Sequence, residues 1–237
     1  MVYGVILAGG VGRRMGAVEK PKQYLMIGEK PIIVHTVEKF CLYNEFEKII
    51  ILCPKQWIEH TESLLRKYIG EDPRVVVLEG GSVRNETIMN AINYIEAEGN
   101  LDDETIIVTH DAVRPFVTYR MIEDNVKAAR EFGACDTVMP ATDTIVASED
   151  GVRISSIPDR AKLYQGQTPQ SFKAKKLKDL YEALNEEEKE ILTDAAKIFI
   201  LKGQDVHLVK GETFNIKITY PYDIAVAESL IRGDVKC

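Results

Sequence analysis

Short, unbroken apolar runs alternate with segments of helical period from the N-terminus to about Pro140. Val2 to Ala8 is apolar and is stopped by Gly9-Gly10, the pattern of a short strand buried on both faces. The same pattern predicts strands at Lys48 to Cys53, Arg74 to Leu78, Thr105 to Thr109 and Ala134 to Met139. Between them, Pro31 to Leu42 places Ile32, Val34, Val37 and Phe40 on one helical face, with Pro31 favourable in a first turn. Helices are also predicted over Gln56 to Tyr68, Arg84 to Ala97 and Thr118 to Phe132. Strands that are apolar throughout, each followed by a helix, predict an α/β fold of Rossmann-like type. Its sheet is mostly parallel, with helices on both faces. Ligands of such sheets sit beyond the carboxyl ends of the strands, which points to loops 9–22, 79–85 and 110–116.

The pattern changes after Pro140. Thr144-Ile145-Val146 and Val152-Arg153-Ile154 flank an Asp150-Gly151 turn signal, predicting a β-hairpin that protrudes as an arm. Such an arm offers edges for pairing with another subunit. Tyr164 to Phe172 reads as turns and strand ends, and residues 185–190 as a solvated helix start or loop. Helices near 174–184 and 194–201, strands near 206–209 and 214–218, and a closing helix over 221–231 complete the prediction. With no linker or repeat, one domain is expected over 1–237, carrying an inserted arm at about 140–165.

Composition changes this picture little. The 237 residues are 45% hydrophobic and 28% charged, ordinary for a globular protein. A formal net charge of −7 argues against a nucleic-acid partner. No run approaches a membrane span, and none reads as a signal peptide. Cys41, Cys53, Cys135 and Cys237 show no zinc or disulfide spacing, so free thiols and a cytoplasmic location are expected.

Local charge matters more. Leu7-Ala8-Gly9-Gly10-Val11-Gly12-Arg13-Arg14-Met15-Gly16 runs a strand into a glycine-rich turn, and Pro21-Lys22-Gln23 follows. Met15 breaks the dinucleotide fingerprint Gly-x-Gly-x-x-Gly, and the Walker-type loop does not occur. The turn is distinguished by its cations, Arg13, Arg14, Lys20 and Lys22. Cations and amides that meet the oxygens of a reacting triphosphate stabilise charge developing during attack at the α-phosphorus. A tight turn with a solvated basic face is the structural alternative.

A second loop, Glu79-Gly80-Gly81-Ser82-Val83-Arg84-Asn85-Glu86-Thr87, opens a helix and suits recognition of a base or ribose, or is a plain turn. In a third, His110-Asp111-Ala112-Val113-Arg114-Pro115, Asp111 can hold Mg²⁺ beside phosphate oxygens, or form a structural ion pair with Arg114. His110 is expected to be packed and hydrogen-bonded rather than a general base.

Leu7-Ala8-Gly9-Gly10-x-Gly12-x-Arg14-Met15 followed by Pro21-Lys22-Gln23 resembles the signature of the sugar-phosphate nucleotidyltransferases. The nearest branch is that of the cytidylyltransferases for 2-C-methyl-D-erythritol 4-phosphate and ribitol 5-phosphate. The resemblance runs from residue 3 to about 231 and implies the nucleotide-diphospho-sugar transferase fold, CTP as donor and Mg²⁺ as cofactor. It implies Arg14, Lys22 and Lys217 as catalytic cations. Leu7, Ala8, Gly9, Gly10, Gly12, Gly80, Gly81, Ser82, Thr87 and Asp111 would line the nucleotide, with Arg84 supporting the second loop. Asp111 would be the metal-side acid. Arg114, Thr144, Arg160 and Thr168 would meet the acceptor, Arg160 from the arm of a homodimer partner.

Three details lean toward ribitol 5-phosphate, one being that Tyr164 to Phe172 looks more like the ribitol branch. The methylerythritol enzymes usually read His-Asp-Ala-Ala-Arg-Pro, where this chain has Val113. They usually carry aspartate before Asn-Ile-Lys, where this chain has Phe214. The ribitol branch further implies a reductase partner supplying the acceptor, and a place in teichoic acid or capsule precursor synthesis. Two readings from other classes are an NAD(P)-dependent oxidoreductase and a non-catalytic nucleotide-binding protein.

Overall fold

The computed structural model describes residues 1–10 and 20–233. Its strands and helices follow in the order Val2–Leu7 (β1), Met26–Ile27 (β2), Lys30–Pro31 (β3), Ile32–Cys41 (α1), Phe46–Cys53 (β4), Ile58–Ile69 (α2), Val75–Glu79 (β5), Arg84–Ala97 (α3) and Ile106–Asp111 (β6). Tyr119–Phe132 (α4), Ala134–Pro140 (β7), Tyr164–Lys173 (β8), Ala174–Glu182 (α5), Glu186–Glu190 (α6), Ala196–Leu201 (α7), His207–Lys210 (β9) and Pro221–Arg232 (α8) complete the chain.

The main sheet has seven strands in the order β5-β4-β1-β6-β8-β7-β9. β1 lies between β4 and β6, parallel to both, and β5 continues the parallel set. Such a strand is covered on both faces, which is why VYGVIL and KIIILC carry no polar alternation. α1, α2 and α4 cover one face through Val34, Val37, Phe40, Leu65, Met121 and Val126. α3, α5 and α7 cover the other through Ile88, Ile92, Ile95, Leu177 and Phe199. Each such buried aliphatic or aromatic side chain contributes roughly 1.5–3 kcal/mol. In α4 the apolar stripe Met121, Ile122, Val126 and Ala129 is buried, and the Thr118 side chain caps the helix by accepting from the Met121 amide. A charge at Val126 would break that packing.

The strand order reverses beside β1: the chain passes outward through β4 and β5, then returns to the opposite side as β6. A crevice opens at such a switch point.

Three segments differ from the sequence reading. Tyr164–Lys173 is a ten-residue strand, β8, antiparallel to both β6 and β7. Its buried polar side chains find partners from distant segments: Ser171 bonds Asn125, and the Thr168 hydroxyl bonds His110. The stretch 214–218 forms no strand. Its groups bond across the fold instead, with the Ile218 amide donating to Val113 and Asn215 Nδ2 to the Thr168 carbonyl.

The predicted hairpin is the third. A single bridge, Ala147 with Ser156, forms in the arm, and 144–146 and 152–154 do not pair as strands. Its turn is real: Gly151 has φ +70, and Asp150 Oδ1 accepts from the amides of Val152 and Arg153 at 2.9 and 2.8 Å. The flanks lack a sheet to dock on, and Val152 is 86% exposed, so the two-stranded ladder has no packing to hold it. Among the described residues no helix is long and apolar enough to cross a membrane.

Candidate active site

A cleft of about 420 Å³ lies across the carboxyl ends of β1, β5 and β6. Three loops meet there because these strands, all in the parallel set β5-β4-β1-β6, end on the same edge of the sheet. The first brings Leu7, Ala8, Gly9 and Gly10, the second Gly81, Ser82, Val83, Arg84 and Thr87, the third Asp111, Ala112 and Val113. Lys22, Gln23, Lys217 and Thr219 close the rim.

Gly9 and Gly10 have open space where a side chain would stand, so a ligand can come up to the backbone. Gln23 Nε2 donates to the Ala8 carbonyl at 2.6 Å and fixes the exit of β1. Lys22 is buried, and its Nζ donates to the Ile218 carbonyl at 2.9 Å. That bond ties the first loop to the segment carrying Lys217. Gly12 and Arg14 lie outside the described residues.

The second loop is held by its own side chains. The Gly81 amide donates to Thr87 Oγ1 at 3.0 Å, and the Ser82 amide to Glu86 Oε2 at 2.9 Å. The Ser82 hydroxyl donates to the same Glu86 oxygen at 2.5 Å. These bonds pull the Glu86 carboxyl below its ordinary range. A side chain at position 81 would stand 2.4 Å from Glu86 Cβ and 2.8 Å from the Thr87 amide nitrogen, so only glycine fits. Gly80, which does not line the cleft, donates its amide to the Cys53 carbonyl at 2.9 Å. Ser82 and Thr87 therefore shape the loop, and the loop presents its backbone.

Asp111 is the electrostatic centre. Its carboxylate pairs with Arg84, with Lys217 Nζ at 2.7 Å and with Arg114 Nε at 3.6 Å. Burial alone would raise its pKa, but Arg84, Lys217 and Arg114 hold it well below the usual carboxylate range. Three cations on one carboxylate leave two positive charges in excess within this group, in a chain of net charge −7. Such a local surplus attracts an anion of high charge.

His110, behind Asp111, is fully buried. Nε2 faces the Arg114 carbonyl at 3.0 Å, an acceptor only, so Nε2 carries the ring proton. Nδ1 is then bare and accepts the Thr168 hydroxyl at 2.9 Å. Thr168 Oγ1 in turn accepts the Asp111 amide at 3.2 Å. Burial pulls the His110 pKa down to about 4, so the ring is neutral. With both nitrogens engaged, it positions Asp111 and moves no substrate proton.

Arg114 also donates Nη1 to the Asn215 carbonyl at 2.8 Å, joining the third loop to the 214–219 segment. Thr144 and Arg160 do not reach the cleft. Both are exposed on the arm, where Arg160 Nη1 donates to the Thr142 carbonyl at 2.8 Å. Gln23 and Asn215 were not singled out from the sequence; both lay inside motifs that signalled the site.

A sequence profile described as 2-C-methyl-D-erythritol 4-phosphate cytidylyltransferase matches residues 2–233. The 4-diphosphocytidyl-2C-methyl-D-erythritol synthase of Anaerococcus prevotii is 26% identical, with TM-score 0.78 over 98% of this chain and 96% of that one. The 2-C-methyl-D-erythritol 4-phosphate cytidylyltransferase of Francisella tularensis is 26% identical, with TM-score 0.79 over 95% and 97%. That of Thermus thermophilus is 26% identical, with TM-score 0.71 over 98% and 100%. The match spans nearly the whole chain, and the chain belongs to the 2-C-methyl-D-erythritol 4-phosphate cytidylyltransferase family of nucleotidyltransferases.

Proposed function

We propose that this enzyme transfers CMP from CTP to D-ribitol 5-phosphate, forming CDP-ribitol and releasing pyrophosphate. The observation that carries the transfer is the cationic surplus around Asp111, set beside open glycines at the switch point of the sheet. The triphosphate lies along Gly9, Gly10 and Lys22, and the base against the backbone of the second loop. The acceptor phosphate lies near Lys217 and Arg114 and attacks the α-phosphorus in line. Lys22, with Arg14, meets the charge that grows on the α-phosphate and the departing pyrophosphate. A phosphate oxygen is already a nucleophile, and His110 is neutral and committed, so positioning and electrostatics carry the step.

Among the described residues no group of three or more His, Cys, Asp or Glu could hold a metal alone. Asp111 lines the cleft, but Arg84, Lys217 and Arg114 already pair with its oxygens, so Mg²⁺ would be held chiefly by the substrate phosphates with Asp111 as the one carboxylate beside them. When bound, Mg²⁺ neutralises phosphate charge and orients the reacting groups.

Ribitol is favoured by Phe214, 39% exposed on the segment that carries Asn215 and Lys217, where the methylerythritol enzymes usually have aspartate. Methylerythritol phosphate is the second reading, favoured because the matched family and the solved relatives are named for it. A homodimer would bring Arg160 of one arm to the partner's cleft. The exposed Val152, Ile154 and Ile157 give that arm an apolar face suited to burial. Pyrophosphate release from CTP with each acceptor tests the proposal. Ribitol 5-phosphate is expected to give the higher kcat/KM. A higher value for methylerythritol phosphate overturns the ribitol reading, and turnover with neither overturns the transfer.

A further inference from the structure

We infer that Asp136 and Gln170 form a specificity subsite that reads hydroxyl groups on the acceptor's carbon chain, beyond its phosphate. The inference rests on the alditol-phosphate reading above and adds the residues that would discriminate between such acceptors.

Position is the first argument. Asp136 on β7 pairs directly with Gln170 on β8, and Gln170 pairs with Thr109 on β6. The two side chains thus stand along the sheet from Asp111, on the side away from β1, β4 and β5 and their nucleotide-facing loops. Thr168, two positions before Gln170, is already tied to Asp111 and His110. Asp136 feels the charges of Arg84 and Arg114, the same guanidinium groups that hold Asp111.

Unmet hydrogen-bonding capacity is the second. Asp136 Oδ1 and Gln170 Oε1 are both buried and have no hydrogen-bond partner among the described residues, although the Gln170 side chain also bonds the Asp136 carboxyl. The Gln170 amide donates Nε2 to Asp194 Oδ2 at 3.3 Å, which leaves Oε1 as the acceptor without a donor. Buried acceptors without donors are costly and uncommon. A polyol supplies what they lack, O–H donors on successive carbons. Access is the third argument. Gly166 is exposed, has no side chain, and sits so that a Cβ there would be 3.8 Å from Asp136 Oδ2. Oδ2, the oxygen next to the buried Oδ1, thus lies beside an exposed stretch of β8 without a side chain. Burial, opposed by a hydrogen bond with Gln170 and aided by the Asp194 charge, raises the Asp136 pKa to about 7, so near neutrality the group can accept a hydroxyl hydrogen or donate one.

The test uses the full-length enzyme with CTP and two acceptors, ribitol 5-phosphate and the shorter glycerol 3-phosphate. Asp136→Ala is expected to raise KM for ribitol 5-phosphate about 10-fold or more while CTP KM stays within about 2-fold, as loss of a hydrogen bond to an ionisable group implies. Preference over glycerol 3-phosphate should collapse, and Asp136→Asn, which keeps an acceptor, should restore much of it. Gln170→Met gives the same reading should Asp136→Ala fold poorly, which a thermal melt reports. An acceptor KM unchanged in both variants, or equal losses for both acceptors and CTP, overturns the inference and leaves the transfer reading standing. Such a result would mean that Asp136 and Gln170 serve only each other. If the wild type uses methylerythritol phosphate instead, the ribitol reading falls alone and the same comparison with that acceptor decides. If it uses no acceptor, both fall.

Discussion

Replacing His110 by glutamine should tilt the dependence of stability on pH, because two buried groups with opposite linkage now nearly cancel. The pKa of His110 is about 4 in the fold against an ordinary value of 6.5. Between those values the unfolded chain binds a proton that the folded one does not, so acid favours unfolding. That penalty is absent above pH 6.5 and reaches about 3 kcal/mol below pH 4. The pKa of Asp136 is about 7 in the fold against 3.8 ordinarily, so there the folded chain binds the extra proton. Its penalty, about 4 kcal/mol, is fully present above pH 7 and is relieved as pH falls toward 3.8. The two slopes are opposite, each about 1.4 kcal/mol per pH unit, so between pH 4.5 and 6.5 they offset each other. Asp111 barely enters: its pKa is held low, and its contribution is lost only as pH falls below the ordinary carboxylate range. Glutamine can donate to the Arg114 carbonyl and accept from Thr168, but it does not titrate. On going from pH 7 to 4.5, His110→Gln should therefore gain about 2.5 kcal/mol relative to wild type. Urea unfolding followed by fluorescence of the single tryptophan, Trp57, measures this at each pH. Parallel stability curves for the two proteins would refute the neutral, proton-locked histidine.

Lys22→Ala should lower kcat about 10²–10³-fold with circular dichroism unchanged, and near-normal turnover would remove Lys22 from the chemistry. Gly81→Ala must displace the second loop, because Glu86 Cβ lies 2.4 Å from the new methyl. CTP KM should rise on the order of 10- to 100-fold, and an unchanged KM would show that the loop does not meet the nucleotide. Excess EDTA should stop pyrophosphate release and Mg²⁺ should restore it; turnover surviving chelation would take the metal out of the reaction.

The apolar runs determined the parallel half of the sheet unaided. A strand covered on both faces has no polar position to confuse the reading, so β1, β4, β5 and β6 stood out, together with the loops that follow them. Lys22, Arg84, Asp111 and Lys217 were likewise legible, because each sits in a motif at a strand end or just beyond it, and the cleft gathers all four. Thr144 and Arg160 were legible only through resemblance, and a single chain leaves them on the arm.

Tertiary structure decided the rest, wherever polar groups are buried. Ser and Thr in β8 look like loop residues until Asn125 and His110 supply their partners from 46 and 58 positions away. Ile216 and Ile218 look like a strand, yet the segment is held by Val113, Thr168 and Arg114 rather than by a ladder. Ser82 and Thr87 shape their loop, because Glu86 one helical turn on claims Ser82 and Thr87 itself accepts the Gly81 amide. Asp136 carries no local signal; only pairing of β7 with β8 sets it beside Gln170. Hydrophobic burial is a property of a residue and its near neighbours, so it can be read along the chain. Hydrogen-bond satisfaction and charge pairing depend on which groups meet in space, and only the fold brings them together.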